Sequence, residues 1–119
     1  MSAFQTNAID RSSEHPRIAF QLALPATDRM IYEAPATSAV TLTQVVFCNT
    51  TASSATVRLH SVPPNGTVGT ANALLYNIAI PSGCTLVYDT PVHLRAGEMV
   101  FARCSTASAI TATGYVEAI

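Results

Sequence analysis

Residues 40–62, VTLTQVVFCNTTASSATVRLHSV, decide the fold class of this chain, because apolar and polar side chains alternate through both halves of the segment. Side chains point alternately to opposite faces of a β-strand, so this alternation is typical of a strand with one buried face. Between the halves, the residues NTTASS at 49–54 are types that bend the backbone and hydrogen-bond to it locally. The segment therefore predicts two strands joined in a hairpin by a tight polar turn.

The same alternation predicts which side chains share a face. In the first strand the predicted apolar face carries Val40, Leu42, Val46 and Cys48, and Gln44 interrupts it, which indicates a bulge or an edge position. In the second strand the predicted apolar face carries Ala55, Val57 and Leu59, and the opposite face carries Thr56, Arg58 and His60. His60 is accordingly expected to face solvent or a neighbouring subunit.

The rest of the chain repeats this pattern, with turn residues roughly every ten positions. Further strands are predicted at 18–24, 30–34, 74–80, 84–89, 92–94, 98–105 and 110–116. Turns are predicted at PPNG (63–66), PSG (81–83) and RAG (95–97), and no stretch has a sustained helical period. In the later strands, the inward side chains are predicted to be Val100, Ala102, Cys104, Ile110, Ala112 and Val116, and Leu74, Tyr76, Ile78 and Ile80 are predicted to share one face. The fold class is therefore all-β: an antiparallel β-sandwich or jelly roll of seven to nine strands.

Residues 1–17 differ from the rest, since they are polar and have no sustained period. The chain is accordingly divided into an extended N-terminal arm, residues 1–17, and a β-sandwich domain, residues 18–119. The arm is expected to lie against a neighbouring subunit, with a disordered leader as the alternative. The candidate subunit-contact residues are Phe4, Ile9, Arg11, Arg17, Ile18 and Phe20.

The composition excludes several classes of partner. Of the residues, 49% are hydrophobic and only 11% are charged, and the formal net charge is −1. Nucleic-acid binding through phosphates is not expected from such a chain, and the scarcity of charge indicates that other subunits cover much of the surface. No signal peptide and no apolar run of membrane-spanning length is visible, so we expect synthesis in a cytoplasm and no membrane partner.

No pattern in the sequence predicts catalysis. Cys48, Cys84 and Cys104 lack the paired spacing of a zinc site and are expected to be reduced structural thiols, with an intermolecular disulfide as the alternative. Asp89 and His93 are the nearest acid and base, and a turn aspartate with a strand-edge histidine is the simpler interpretation. We therefore expect no enzyme activity, no cofactor, no metal and no small-molecule substrate.

Several short motifs, taken in order, carry a resemblance to a known family. They are IYEAP (31–35), FCNT (47–50), VRL (57–59), ANALLY (71–76), IPSGCTL (80–86), LRAGE (94–98) and STA (105–107). Their order resembles a small β-sandwich family that recurs in virion proteins of tailed bacteriophages, as head-decoration, neck or tail components. The resemblance implies a non-enzymatic structural role, no cofactor, and assembly into trimers or larger rings. The N-terminal extension, residues 1–27, departs from the family pattern.

The function predicted from these observations is capsid decoration. A decoration or cement protein would stabilise the phage head through symmetric contacts, as a homo-oligomer (trimer favoured) bound to the major capsid protein, and would be located in the virion. The alternative is a neck or tail component, including a receptor-binding module that would stack sugars on Tyr76, Tyr88 or Tyr115. A hydrolase is the third class.

Overall fold

Nine β-strands and one short 3-10 turn make up residues 17–118, the part of the chain that the computed structural model describes. The strands are β1 (Arg17–Ala23), β2 (Arg29–Glu33), β3 (Val40–Asn49), β4 (Ala55–Val62), β5 (Ala73–Ile80), β6 (Thr85–Tyr88), β7 (Val92–Leu94), β8 (Met99–Cys104) and β9 (Ile110–Ala118), and the 3-10 turn is Thr70–Asn72. The predicted all-β class is confirmed, with the strand number at the upper end of the predicted range.

The strands form two antiparallel sheets that pack face to face. Sheet A has the order β1-β9-β3-β6, with β7 also pairing with β3, and sheet B has the order β2-β8-β4-β5. One long antiparallel hairpin is formed by four successive strand pairs: β1/β9, β2/β8, β3/β6–β7 and β4/β5. That hairpin is rolled up so that β9 also pairs with β3 and β8 with β4. This connectivity is a jelly roll, which settles the choice between the two predicted sandwich types.

The predicted hairpin of β3 and β4 is wrong. These strands belong to different sheets, and residues 50–54 form an arch that carries the chain from sheet A to sheet B. Each strand does have one buried face, as the alternation predicts, but the two faces meet across the core. Alternation indicates that a strand has one buried face. It does not indicate whether the next strand pairs with it in the same sheet or lies in the facing sheet.

A bulge in β3 also changes which of its side chains are buried. The register against β9 shifts between Leu42 and Gln44, so the predicted bulge at this position is confirmed. Beyond the bulge the inward side chains are Val45 and Phe47, whereas Val46 and Cys48 are only half-buried. The prediction that Val46 and Cys48 share the face of Val40 and Leu42 is therefore wrong, because one extra residue in a strand exchanges its two faces.

The core lies between the sheets and is built almost entirely of aliphatic side chains. Its largest fully buried members include Phe47, Leu24, Leu42, Leu59, Ile80, Leu94 and Ile110. The predicted inward residues of the later strands, Val100, Ala102, Cys104, Ile110, Ala112 and Val116, are all buried. Each fully buried large aliphatic or aromatic side chain contributes roughly 1.5–3 kcal/mol of transfer free energy, so this layer is the main source of stability.

Four of the connections use one kind of turn. The amide of the fourth residue donates to the carbonyl of the first in the turns that start at Pro63, Pro81, Arg95 and Thr106. The third residue has a positive φ in each: Asn65 (63°), Gly83 (69°), Gly97 (82°) and Ser108 (65°). The turns predicted at 63–66, 81–83 and 95–97 are thus confirmed, and they owe their shape to residues that tolerate the left-handed conformation.

Candidate functional site

Half of the predicted subunit-contact residues can be placed in the structure. Phe4, Ile9 and Arg11 lie outside the described residues, as does most of the predicted arm. Arg17 and Ile18 begin β1 and are exposed; Ile18 is 57% exposed to solvent. Phe20 is buried within its own subunit.

Phe20 fixes β1 to the body of the molecule. It pairs with Gly114 of β9, and its ring occupies the space that a Cβ at position 114 would need. The ring also contacts Tyr32 of sheet B, with the two centroids 6.4 Å apart and the planes tilted by 41°. Burial raises the pKa of the Tyr32 hydroxyl above its ordinary value, an effect that the positive charge of Arg17 partly opposes. The residue pattern of β1 thus anchors the sheets to each other at the point where the arm begins.

The exposed apolar side chains of the described residues follow the edges of the two sheets. We call β1 and β2 the first rim and β5 and β6 the second rim; each rim contains one edge strand from each sheet, and the rims lie on opposite sides of the sandwich. Within residues 17–118, every large hydrophobic side chain that is exposed lies on a rim: Ile18 and Met30 on the first, and Tyr76, Ile78 and Val87 on the second. Among the described strands, both rims therefore combine edges that have no pairing strand with large exposed apolar side chains.

A cleft of about 230 Å³ lies on the outer face of sheet B, next to the second rim, and is lined by Thr56, Arg58, Asn77, Arg103, Cys104 and Ser105. Arg58 and Arg103 are directly opposite each other on β4 and β8. The Arg58 Nε donates to Asn77 Oδ1 at 2.7 Å, and its guanidinium carbon lies 4.3 Å from the centre of the Tyr76 ring. None of the described residues that line the cleft is acidic. We call this group of residues the arginine cleft.

The alternation in β4 predicts that Arg58 lies on the outer face of the strand, but no pattern in the sequence indicates the cleft. The juxtaposition of Arg58 with Arg103 depends on the register of β4 against β8, which a single sequence does not reveal. Tyr76 was predicted to share the face of Ile78 and Ile80, and this is wrong. The register of β5 against β4 shifts beside Asn77, whose φ is 54°, and the Tyr76 ring lies against Arg58 of the outer face.

The environment of His60 also differs from the prediction. It was expected to be solvated or subunit-facing, but only 2% of its surface is exposed. Its Nδ1 lies 3.0 Å from Asn72 Oδ1, an oxygen that also accepts from the Gly69 amide, so the imidazole donates from Nδ1. The segment that joins β4 to β5 therefore folds back and covers this end of the outer face, and Nε2 has no partner among the described residues.

Asn49 organises the arch between the sheets. It is fully buried, and its amide nitrogen donates to the carbonyls of Ser53 and Ile80, both at 2.8 Å. Its amide oxygen accepts from the backbone and the hydroxyl of Thr51 at 2.9 and 2.7 Å. A buried amide with its hydrogen bonds satisfied stabilises one conformation of the arch.

The remaining polar groups form no arrangement with an evident reaction. The His93 ring nitrogen Nδ1 lies 3.0 Å from the Thr41 hydroxyl at an exposed position, and it makes no hydrogen bond to Asp89 in the described chain. All three cysteines are free: Cys104 is buried, Cys48 half-buried and Cys84 exposed. Residues 17–118 contain no cluster of three or more potential metal ligands. No helix in that range is long and apolar enough to cross a membrane.

Comparison with known proteins identifies the class of fold. No family model and no curated protein matches the chain. Among solved structures, the T13 particle of infectious bursal disease virus contains a chain similar to this one, with a TM-score of 0.51 and 9% identity over 90% of this chain. The Gx strain of the same virus gives a TM-score of 0.48 and 13% identity over 87% of this chain. The likeness to the chain of the T13 particle supports the jelly-roll fold of this chain, and the fold alone.

A third similar structure is a pentameric capsid protein isolated from metagenomic phage sequences. It gives a TM-score of 0.42 and 15% identity, and the match covers 100% of this chain and 75% of that protein. The chain described here spans only about a third, 32%, of each bursal disease virus chain that it matches.

Proposed function

We propose that this chain is a non-enzymatic structural protein of a bacteriophage virion that decorates and stabilises the capsid. The observation that carries the proposal is the distribution of the large exposed hydrophobic side chains, which in the described residues are confined to the two rims. Unpaired strand edges with apolar side chains are a liability in a free monomer, because they are templates for association with other chains. They are useful in a protein whose edges are covered by neighbours in an assembly.

Two further observations support a role in an assembly. Only 11% of the residues are charged, so electrostatic repulsion between copies is weak. The jelly roll is also an architecture used by viral capsid proteins, and the similar chain belongs to the particle of infectious bursal disease virus. Fold alone does not define a function, so the rims and the composition are the stronger support.

The mechanism of decoration is repetition of modest contacts. Copies of the chain, with a trimer favoured, associate through their rims, and the arm reaches a neighbouring subunit or the major capsid protein. Symmetry multiplies each contact, so an array of weak contacts holds the shell firmly. Arg17 and Ile18, which are exposed at the start of β1, are the described residues of the predicted contact set that a neighbour would reach first.

The test is quantification of the chain in purified virions by mass spectrometry, combined with sedimentation of the purified protein with expanded empty capsids. Decoration predicts a copy number comparable with that of the major capsid protein and co-sedimentation with the shells. A small fixed copy number without binding to shells would instead support the neck or tail alternative. Absence of the chain from washed virions would contradict the proposal.

A further inference from the structure

The arginine cleft is an unusual arrangement within a chain of low charge. Arg58 and Arg103 are cross-strand partners on β4 and β8 and both line the cleft, and like charges at paired positions are unfavourable in a sheet. Within residues 17–118, no arginine has a carboxylate oxygen within 4.0 Å. Neither Arg58 nor Arg103 is therefore neutralised by a carboxylate inside the described part of the subunit.

The cleft is also partly preorganised. Asn77 and the Tyr76 ring hold the Arg58 guanidinium in place, and the hydroxyls of Thr56 and Ser105 line the same opening. A guanidinium that is already oriented loses little conformational freedom when it binds an anion. Arginine pairs with carboxylates through two parallel hydrogen bonds, so the cleft fits one carboxylate side chain that enters from outside.

The opposite side of the same sandwich carries exposed carboxylates, beside the exposed cations Arg17 and Arg29 of the same rim. Asp28 directly precedes β2 and Glu33 ends it, and both residues are exposed on the first rim. The arginine cleft adjoins the second rim through Asn77 of β5. When the first rim of one copy meets the second rim of the next, acidic groups of the one are brought towards the cationic cleft of the other.

We propose that the arginine cleft receives the carboxylate of Asp28 or Glu33 from the first rim of a second copy of this chain. This inference rests on the proposed function, since it specifies the contact by which the copies associate. A contact between two different surfaces is heterologous, and it generates closed rings or extended arrays rather than isolated pairs. The pairing also fixes orientation, because a reversed neighbour would present its own cleft and not its carboxylates.

Sedimentation equilibrium of the full chain, with dissociation constants measured at several salt concentrations, tests the proposal. Arg103→Ala is the principal variant, because Arg103 makes no side-chain hydrogen bond to other described residues. We expect it to weaken self-association by about tenfold to a hundredfold and to reduce the dependence on salt. Arg95→Ala removes the same charge from an exposed turn and is the matched control, with unchanged association expected. Thermal unfolding of each variant confirms that the subunit remains folded.

Double-mutant cycles then identify the carboxylate. Asp28→Asn or Glu33→Gln should weaken association as much as Arg103→Ala, and the effect should not add to that of Arg103→Ala. Asp89→Asn, on the side of the second rim, should have no effect. Wild-type association that Arg103→Ala leaves unchanged would overturn the proposal, as would a wild-type chain that stays monomeric. Full additivity with both acidic variants would do the same. If wild-type protein is nevertheless present in virions, only this inference fails and the proposed function stands.

Discussion

The Phe20 ring limits the size of the residue at position 114. The Phe20 ring occupies the volume where a Cβ at position 114 would lie, so Gly114→Ala forces the ring out of its place in the core. We expect this substitution to destabilise the fold by about 1–3 kcal/mol, the usual cost of overpacking a core. Chemical denaturation measures the change.

The double-mutant cycle with Phe20→Ala is the control for this explanation. Phe20→Ala removes the obstacle, so Gly114→Ala should cost almost nothing in that background. If Gly114→Ala costs as much with Phe20→Ala as without it, the ring is not the reason that position 114 is glycine.

Tyr32 gives the stability a dependence on alkaline pH. Desolvation raises its pKa above the ordinary value of 10.0 in the folded chain, so the neutral hydroxyl is favoured by folding. Its contribution to stability is fully present below pH 10.0 and declines as the pH rises further, because the unfolded chain then releases the proton more readily. Urea unfolding at a series of pH values should show this decline, and Tyr32→Phe should make it shallower. An equally steep decline in Tyr32→Phe would rule out this assignment.

At the scale of elements, the arch between β3 and β4 depends on one side chain. Asn49→Ala removes the donor for the Ser53 and Ile80 carbonyls and the acceptor for Thr51. Since buried groups left without partners cost about 1–3 kcal/mol each, we expect a loss of about 3 kcal/mol or more, seen as a large decrease in Tm. The neighbouring Thr50→Ala, at an exposed position, should change the Tm little. Equal effects of the two substitutions would contradict this role of Asn49.

The turn that starts at Thr106 contains a strained residue. Ser108 has a φ of 65°, a conformation that is unfavourable for a residue with a Cβ. Ser108→Gly should therefore stabilise the fold by about 0.5–1 kcal/mol, the net of relieved strain and greater freedom of the unfolded chain. Ala107→Gly is the matched control, because position 107 has no positive φ and should be destabilised by glycine. A destabilised Ser108→Gly would show that the side chain, not the backbone, determines this position.

For the whole molecule, the role of the predicted arm can be separated from that of the sandwich. Deletion of residues 1–15 removes Phe4, Ile9 and Arg11 and leaves every described strand intact. We expect the shortened chain to fold, with an unchanged near-ultraviolet circular dichroism spectrum, and to be lost from particles during washing. Undiminished occupancy of capsids by a folded deletion variant would contradict the role of the arm.

The sequence predicts individual strands well because the alternation of apolar and polar residues within a strand reflects which of its faces is buried. Val100, Ala102 and Cys104 alternate without interruption, and they are buried as expected. The pairing of strands with one another is harder to predict from the sequence. The partners of β3 lie far along the chain, a bulge moves Val46 and Cys48 to the other face, and the segment that follows β4 folds back over His60. The arginine cleft depends on register and bulge positions together, so no local pattern could have predicted it.

The rolled-hairpin connectivity determines the order in which strand pairs can form while the chain is being synthesised. β9 lies between β1 and β3, and β8 lies between β2 and β4, so the central partner in each sheet is synthesised last. During translation β1 and β2 have no strand to pair with, and only the β4/β5 and β3/β6–β7 pairs can form early. Such long-range pairing is slow and leaves apolar edges open to wrong partners. Folding of the two sheets is therefore completed only when β8 and β9 have left the ribosome, and a message truncated before β8 yields a product prone to aggregation.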